Sequence, residues 1–387
     1  MKILKSLLLL FFACNCSAQN CSVRLIKKFD VPNNGNAEII QYIPSKNILT
    51  VINSKNHFLD FYKVNSITAG DIEPIANIKI NSEPTSVAAN DKLNFVIMSR
   101  LAEPNQNSEI IFADVNSFQT IRKISFGVQL DSVGISPDGK WLIAADEAEE
   151  NSQTPGAIWA MDLTSLQSQP VRLSGLDELT GIDLKILEPE FIAFDPQNKF
   201  AVVSCQENDI IVIIDLRNSF PILTGIIKLT DGAQPDGVAV IRDADGRAII
   251  AVAEEGEKEL NGKRSGQCVS FYSVADDLKK AAMLSRVDVR KYLCPEKPEK
   301  RCDPEGIALA KIGDRLFAFV GVERLNKLLT LEITDPCNPV FVSAEDTGLR
   351  PEGVTAVEKD GKIYVMTADE GDRDIDGSIS LFGISVD

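Results

Sequence analysis

The amino-acid sequence predicts an all-β protein, a seven-bladed β-propeller of four-stranded antiparallel blades, closed by the N-terminal strand pairing in the last blade. Three observations predict it. A short marker recurs seven times along the 387 residues. Each marker is followed by the same strand–turn–strand grammar. The last repeat lacks one strand, and the N-terminus offers a spare one.

The marker is clearest as PEGV at Pro351–Val354, PEGI at Pro304–Ile307, PDGV at Pro235–Val238 and PEFI at Pro189–Ile192. Weaker forms are PTSV at Pro84–Val87, DSVG at Asp131–Gly134 and AEII at Ala37–Ile40. Their second residues are Glu38, Thr85, Ser132, Glu190, Asp236, Glu305 and Glu352, separated by 47, 47, 58, 46, 69 and 47 positions. A period near 47 with two enlarged intervals is the spacing of a four-stranded propeller blade carrying loop insertions.

An apolar stretch follows each marker, then a turn such as SPDGK, DPQNK, DADGR or KDGK. Asp-Gly and Asn supply the positive φ that a tight hairpin needs. Second strands follow, among them WLIAA, FAVVS, AIIAVA, LFAFVG and IYVMTA, and then third strands such as IIVIIDL and SISLFGI. These β-branched runs lack the 3.6-residue period of helical repeats. The final repeat ends after its third strand, Ser378–Ile384, while Val23–Val31 precedes the first marker unpaired. Pairing the two completes a seventh blade and removes the open ends of the ring.

Residues 1–18 read as a signal peptide, with Lys2 and Lys5 before a short apolar run. Residues 19–387 then form one propeller domain. The expected location is secreted, extracellular or periplasmic, with a lipid anchor at the cell surface through Cys14 or Cys16 as the alternative. Loss of the leader changes the formal charge from −16 to −18, because two lysines leave with it. So acidic a chain repels nucleic acid and attracts cations. No later segment has the length of an apolar membrane span, so no integral membrane contact is expected. Six cysteines remain, and Cys294 with Cys302 is the candidate disulfide.

The strand-opening acids Glu38, Glu190, Asp236, Glu305 and Glu352 are expected as an acidic ring at the channel mouth. A second acidic series follows the second strands: Asp146, Glu147, Glu207, Asp209, Glu254, Glu323, Asp369 and Glu370. Asp372, Asp374 and Asp376 alternate before Gly377 as in the start of a calcium loop, although Gly383 stands where an EF-hand needs Glu. Hard carboxylate oxygens make Ca2+ the expected ion, against the alternative of solvated acids. His57 is the one histidine, which excludes three-histidine zinc and bis-histidine haem within one chain. No phosphate-binding glycine motif is present. Between Asp236 and Glu305, residues 276–287 are a candidate short helix, and residues 291–301 form a basic patch.

The segments AEIIQYIPSKNILTVIN and PEGVTAVEKDGKIYVMTADEGDRDIDG resemble the choice-of-anchor I family of secreted or surface β-propellers. Ala368-Asp369-Glu370-Gly371-Asp372 is similar to that family's C-terminal pattern, with Asp369 where Asn is usual. The resemblance implies the propeller fold and an extracytoplasmic location, and it carries no established catalytic residues. Two functions stay open at this point. One is a binding or scaffold module, calcium-bound, for an extracellular protein, carbohydrate or small molecule. The other is a metal-dependent hydrolase of lactonase or phosphoesterase type.

Overall fold

A computed structural model describes residues 21–101, 107–147, 156–172, 187–256, 259–260, 263–297 and 299–386. The proposed leader, residues 1–18, lies outside the described residues, as does much of the insertion before Glu190.

Seven four-stranded antiparallel sheets are present among these residues. Blades 1 to 6 occupy residues 40–79, 84–125, 130–170, 189–228, 235–288 and 304–346. In blade 7 the strands Pro351–Lys359, Lys362–Asp369 and Ser378–Val386 are joined by Cys21–Asp30 at the edge. That N-terminal strand runs antiparallel to the C-terminal one, from Cys21 opposite Val386 to Asp30 opposite Ser378. The expected closure is therefore present, and the first and last described strands lie side by side in one sheet.

The core consists of apolar layers between neighbouring blades. Leu49, Val51, Met366 and Leu381 pack between blades 1 and 7, as Ile143, Ile158, Val203 and Val212 do between blades 3 and 4. A blade thus buries both faces. The second strands show it most clearly: every residue of Trp141–Asp146, Phe200–Cys205 and Ala248–Glu254 is buried. The hairpin KDGK turns through Asp360 and Gly361, both with positive φ (54° and 72°), as the Asp-Gly pair requires.

Two expectations are corrected. Cys294 and Cys302 are neighbours but not a disulfide: their Sγ atoms are 3.5 Å apart, against about 2.05 Å for a bond. All six described cysteines are free thiols. Cys302 is fixed by its backbone N–H, which donates to Gln267 Oε1, and Cys294 by its place at the end of the helix Arg290–Leu293, so neither backbone brings the sulfurs into bonding range. The candidate helix at residues 276–287 is instead the outer strand Ala281–Asp288 of blade 5. Pairing with Cys268–Val274 overrides its helical propensity. Among the described residues no helix is long and apolar enough to cross a membrane.

Closure carries a measurable consequence. A chain starting after Asp30 leaves Ser378–Val386 as an unpaired edge. Its backbone amides should then exchange with solvent at least about tenfold faster than in the full chain, with a lower melting temperature. Unchanged protection of that strand would mean that the N-terminal pairing does not hold the ring.

Candidate functional site

The first strand of each of blades 2 to 7 carries a register shift at or just after the marker residue, for example between Pro304 and Ile307 and between Pro351 and Val354. A bulge there turns the second marker residue out of the ladder and re-aims its side chain, here toward the channel. Glycine completes the device. A Cβ on Gly237, Gly306 or Gly353 would meet the backbone of the next blade at Glu305, Glu352 or Glu38 respectively. The Asp-Gly and Glu-Gly pairs therefore let successive blades approach backbone to backbone, and the Gly353 N–H donates to the Glu38 carbonyl at 2.8 Å.

The result is a cavity of about 280 Å³ at the mouth, lined by Glu38, Thr85, Asp131, Glu190, Asp236 and Glu352, with Gly306, Gln206, Arg350 and Glu370 beside them. Blade 3 corrects the marker. Leu130 pairs with Asp146 just as Pro351 pairs with Asp369, so the residue equivalent to Glu352 is Asp131 and not Ser132, which is buried in the blade. The ring is thus six carboxylates and one threonine. Thr85 Oγ1 donates to the Leu130 carbonyl at 2.7 Å and ties blade 2 to blade 3.

These groups disturb one another strongly. Burial and then the negative charge of Asp131, Glu147 and Asp236 push the Glu190 carboxyl well above its usual range. Burial and then Glu352, Asp236 and Glu323 do the same to Glu305. Asp236 is raised well above its range by burial, with Glu255 and Glu352 adding to it. Asp131 is raised by burial against the opposing hydrogen bond from Glu190, and Glu352 by burial against that from Glu305. A hydrogen bond between two carboxyl groups requires a proton on one of them. Burial also lifts Glu38 to about 7, although Ser54 and Asn36 donate to its Oε1.

Glu305, Glu323 and Glu352 come together most tightly, each offering an oxygen within 4.8 Å of the others. This buried tri-glutamate cluster is able to coordinate a metal ion. Its neighbours are two arginines that spacing alone does not identify. Arg350 Nε lies 2.5 Å from Glu323 Oε1 and its Nη1 2.8 Å from Glu370 Oε2, while Arg324 Nε is 3.0 Å from Glu323 Oε2.

The second acidic series divides by strand alternation. Asp146, Glu254 and Asp369 point into their blades. Asp146 accepts the Val128 and Gln129 N–H groups and the Trp159 indole. Glu254 pairs with Arg286 at 2.5 Å, and Asp369 takes hydrogen bonds from Ser378, Ser380 and Gly348. Burial lifts Asp369 to about 6 against those hydrogen bonds. Asp209 accepts the Gly232 and Gln234 N–H groups, and Glu207 the Gln234 amide. Glu370 lines the mouth, Glu323 lies buried beside Glu305 and Glu352, and Glu147, held by Gln129 at 2.9 Å, acts on Glu190 through its charge.

The residues proposed from the aspartate loop lie apart from this cluster. Asp372 Oδ1 accepts the N–H groups of Asp374 and Ile375, closing its own turn, and Asp376 stands 4.0 Å from Lys55. Asp372, Asp374 and Asp376 are all exposed.

Residues 38–182 match the choice-of-anchor I domain. No curated protein shows significant similarity to the chain. Among solved structures, the chain is similar to the β-propeller domain of Cps50 (Swd1) from Myceliophteria thermophila, at 10% identity and a TM-score of 0.64, over 92% of this chain and 99% of that one. It is similar to Kuenenia stuttgartiensis hydrazine synthase at 17% identity and 0.62, over 88% and 94%. The periplasmic gluconolactonase PpgL of Pseudomonas aeruginosa matches at 14% identity and 0.59, over 81% and 86%. At these identities the likeness is one of fold.

Glu38 gives the site a pH signature. Its folded carboxyl titrates near 7 and its unfolded one near 4.5. The stability this contributes is fully present below pH 4.5 and is lost as pH rises through 7, because the unfolded chain ionises first. Each tenfold difference in proton affinity between the two states is worth ~1.4 kcal/mol. Glu38→Gln should therefore gain on the wild type by roughly 2–3 kcal/mol between pH 4.5 and 7. Urea unfolding of both proteins across that range measures it; parallel curves would place the Glu38 carboxyl in water.

Proposed function

We propose that this chain, a seven-bladed propeller carrying a choice-of-anchor I domain match, is a metal-dependent hydrolase of ester-type bonds, of the lactone or phosphoester class, working at the channel mouth. The observation that carries the reading is the tri-glutamate cluster, which borders the mouth cavity through Glu352. An ion held only for structure would be enclosed by its ligands. Here one ligand faces a space where a substrate oxygen fits.

The donor set suits a hard cation. Carboxylate oxygens favour Ca2+, Mg2+ or Mn2+ over softer ions, and Ca2+ tolerates the irregular geometry of a cluster drawn from two neighbouring blades, Glu305 and Glu323 from blade 6 and Glu352 from blade 7. Glu305, Glu323 and Glu352 would hold it, and its charge would offset the burial and mutual repulsion that raise Glu305 and Glu352. When bound, such an ion polarises a carbonyl or phosphoryl oxygen.

The chain's own groups supply the rest. Glu38 uses Oε1 for Ser54 and Asn36, which leaves Oε2 for the substrate side. A carboxyl titrating near 7 takes a proton from an attacking water and returns it to a leaving oxygen within the physiological range. Asp131 and Glu190 line the same cavity, both raised above the usual carboxyl range by burial, and offer oxygens that accept hydrogen bonds from substrate hydroxyls. Arg350 pairs with both Glu323 and Glu370 and orients their carboxylates. The gluconolactonase of like fold is a precedent for such chemistry on a propeller, and fold alone does not transfer it. An extracytoplasmic location is in keeping with the choice-of-anchor I match.

The test is turnover on a panel of lactones, carboxylic esters and phosphoesters by chelated protein resupplied with Ca2+, Mg2+ or Mn2+. Activity should return with one of these ions. Glu352→Gln should lower kcat by about 10²–10⁴, and Glu38→Gln should remove the limb of the pH profile near 7. No metal-dependent turnover on any member, with no effect of chelator on melting, would refute the hydrolase and leave a binding module.

A further inference from the structure

A second cavity, of about 510 Å³, adjoins the mouth. Glu38, Arg350 and Glu370 line both spaces, so the two are neighbours across a shared wall. The side cavity falls in the ~300–1,000 Å³ range of small-molecule sites. Its character differs from that of the mouth. Lys55, His57 and Arg373 line it, on a chain whose net charge is −16.

The charges there are not all already neutralised. Arg350 and Glu370 cancel one another at 2.8 Å. Lys55 has only a distant partner, Asp376 at 4.0 Å, with both side chains 41% exposed. Arg373 and His57 make no ion pair among the described residues. Of the opposing acids, Glu38 accepts hydrogen bonds from Ser54 and Asn36 and titrates near 7, Asp372 has Oδ1 engaged by two backbone N–H groups of the turn that presents Arg373, and Glu83 is exposed on the rim. His57 sits in the turn before the third strand of blade 1 with φ of 56°, held by the Ile80 N–H donating to its carbonyl at 2.8 Å. The turn thus fixes the imidazole's backbone beside Lys55.

We infer that the substrate carries an anionic oxyacid group, a carboxylate or a phosphate, which docks on Lys55, His57 and Arg373 while its cleavable bond lies in the carboxylate-lined mouth. This rests on the hydrolase reading for the second half of the statement and not for the first. The chemistry fits the geometry. A six-carboxylate mouth repels an anion approaching directly, and cations clustered to one side fix which end of the molecule enters. A neutral substrate would gain nothing from them. Arginine and lysine together accept either oxyanion, arginine by two parallel N–H bonds.

The experiment has two arms on the full-length protein. In the first, calorimetry follows binding of inorganic phosphate and of gluconate to the wild type and to Lys55→Gln/Arg373→Gln. Both residues are exposed, so the variant should melt with the wild type. Binding of one of the two anions, weakened at least about tenfold in the variant, is expected, and the preferred anion identifies the group. In the second, matched lactones or esters with and without a carboxylate or phosphate are compared. The anionic member should show the higher kcat/KM, and the variant should raise its KM until the ratio nears one. Metal-dependent turnover without any charge preference would overturn the anion site and leave the hydrolase standing. Anion binding lost in the variant, with no turnover at all, would keep the site and remove the hydrolase. Neither anion binding to the wild type, with no charge preference in turnover, ends the inference.

Discussion

Like charges held together out of water are the constraint on which the rest of this molecule turns. Two carboxylates 4.8 Å apart repel by about 3–4 kcal/mol at an effective dielectric of about 20, before any desolvation cost. Several such pairs crowd one mouth, on a protein whose whole stability is only about 5–15 kcal/mol if it is typical. The ring therefore needs protons, arginines or a cation at all times. Arg350 and Arg324 pair with Glu323, burial raises the proton affinity of Glu305, Glu352, Asp131 and Glu190, and Glu38 titrates near 7.

The fold makes that crowding unavoidable. Inner strands of a closed ring converge, each begins with the same marker, and a bulge turns the marker's second side chain toward the axis. Glycines after the acid bring neighbouring backbones into contact, so Glu305, Glu352 and Glu38 follow one another blade by blade. The closure between Cys21–Asp30 and Ser378–Val386 is remote from the mouth in the chain's logic yet decisive for it. It completes blade 7, against which blade 1 packs Leu49 and Val51, and only then does Glu38 stand beside Glu352.

The architecture was legible because repetition and bookkeeping do not depend on side-chain detail. The markers, the period and the missing fourth strand are properties of the chain alone. Five of the six mouth carboxylates follow from them. The sixth did not, because the blade 3 marker lacks proline and its alignment slipped by one, from Asp131 to Ser132; strand pairing at Leu130 and Asp146 settles the register. Arg350 was invisible for a different reason: it precedes a marker and acts across blades, a relation no local pattern encodes. Within Asp369-Glu370, period-two alternation sends the first acid into the blade and the second to the mouth, and Asp146 turns inward in the same way. Counting acids without that alternation overstated the second series. Cysteine spacing misled similarly, since eight residues of separation says nothing of where two backbones hold their sulfurs. The strand at 281–288 shows pairing overriding a helix-forming composition.

A divalent cation held by Glu305, Glu323 and Glu352 should displace a proton from the cluster, because burial raises the proton affinity of Glu305 and Glu352. Calorimetric titration of Ca2+ at pH 7 into chelated protein, in two buffers of different ionisation enthalpy, measures protons released per ion bound. About one proton should be released, with both the release and the tight binding absent from Glu305→Gln. Cation binding with no proton release, or binding undiminished in that variant, would contradict it.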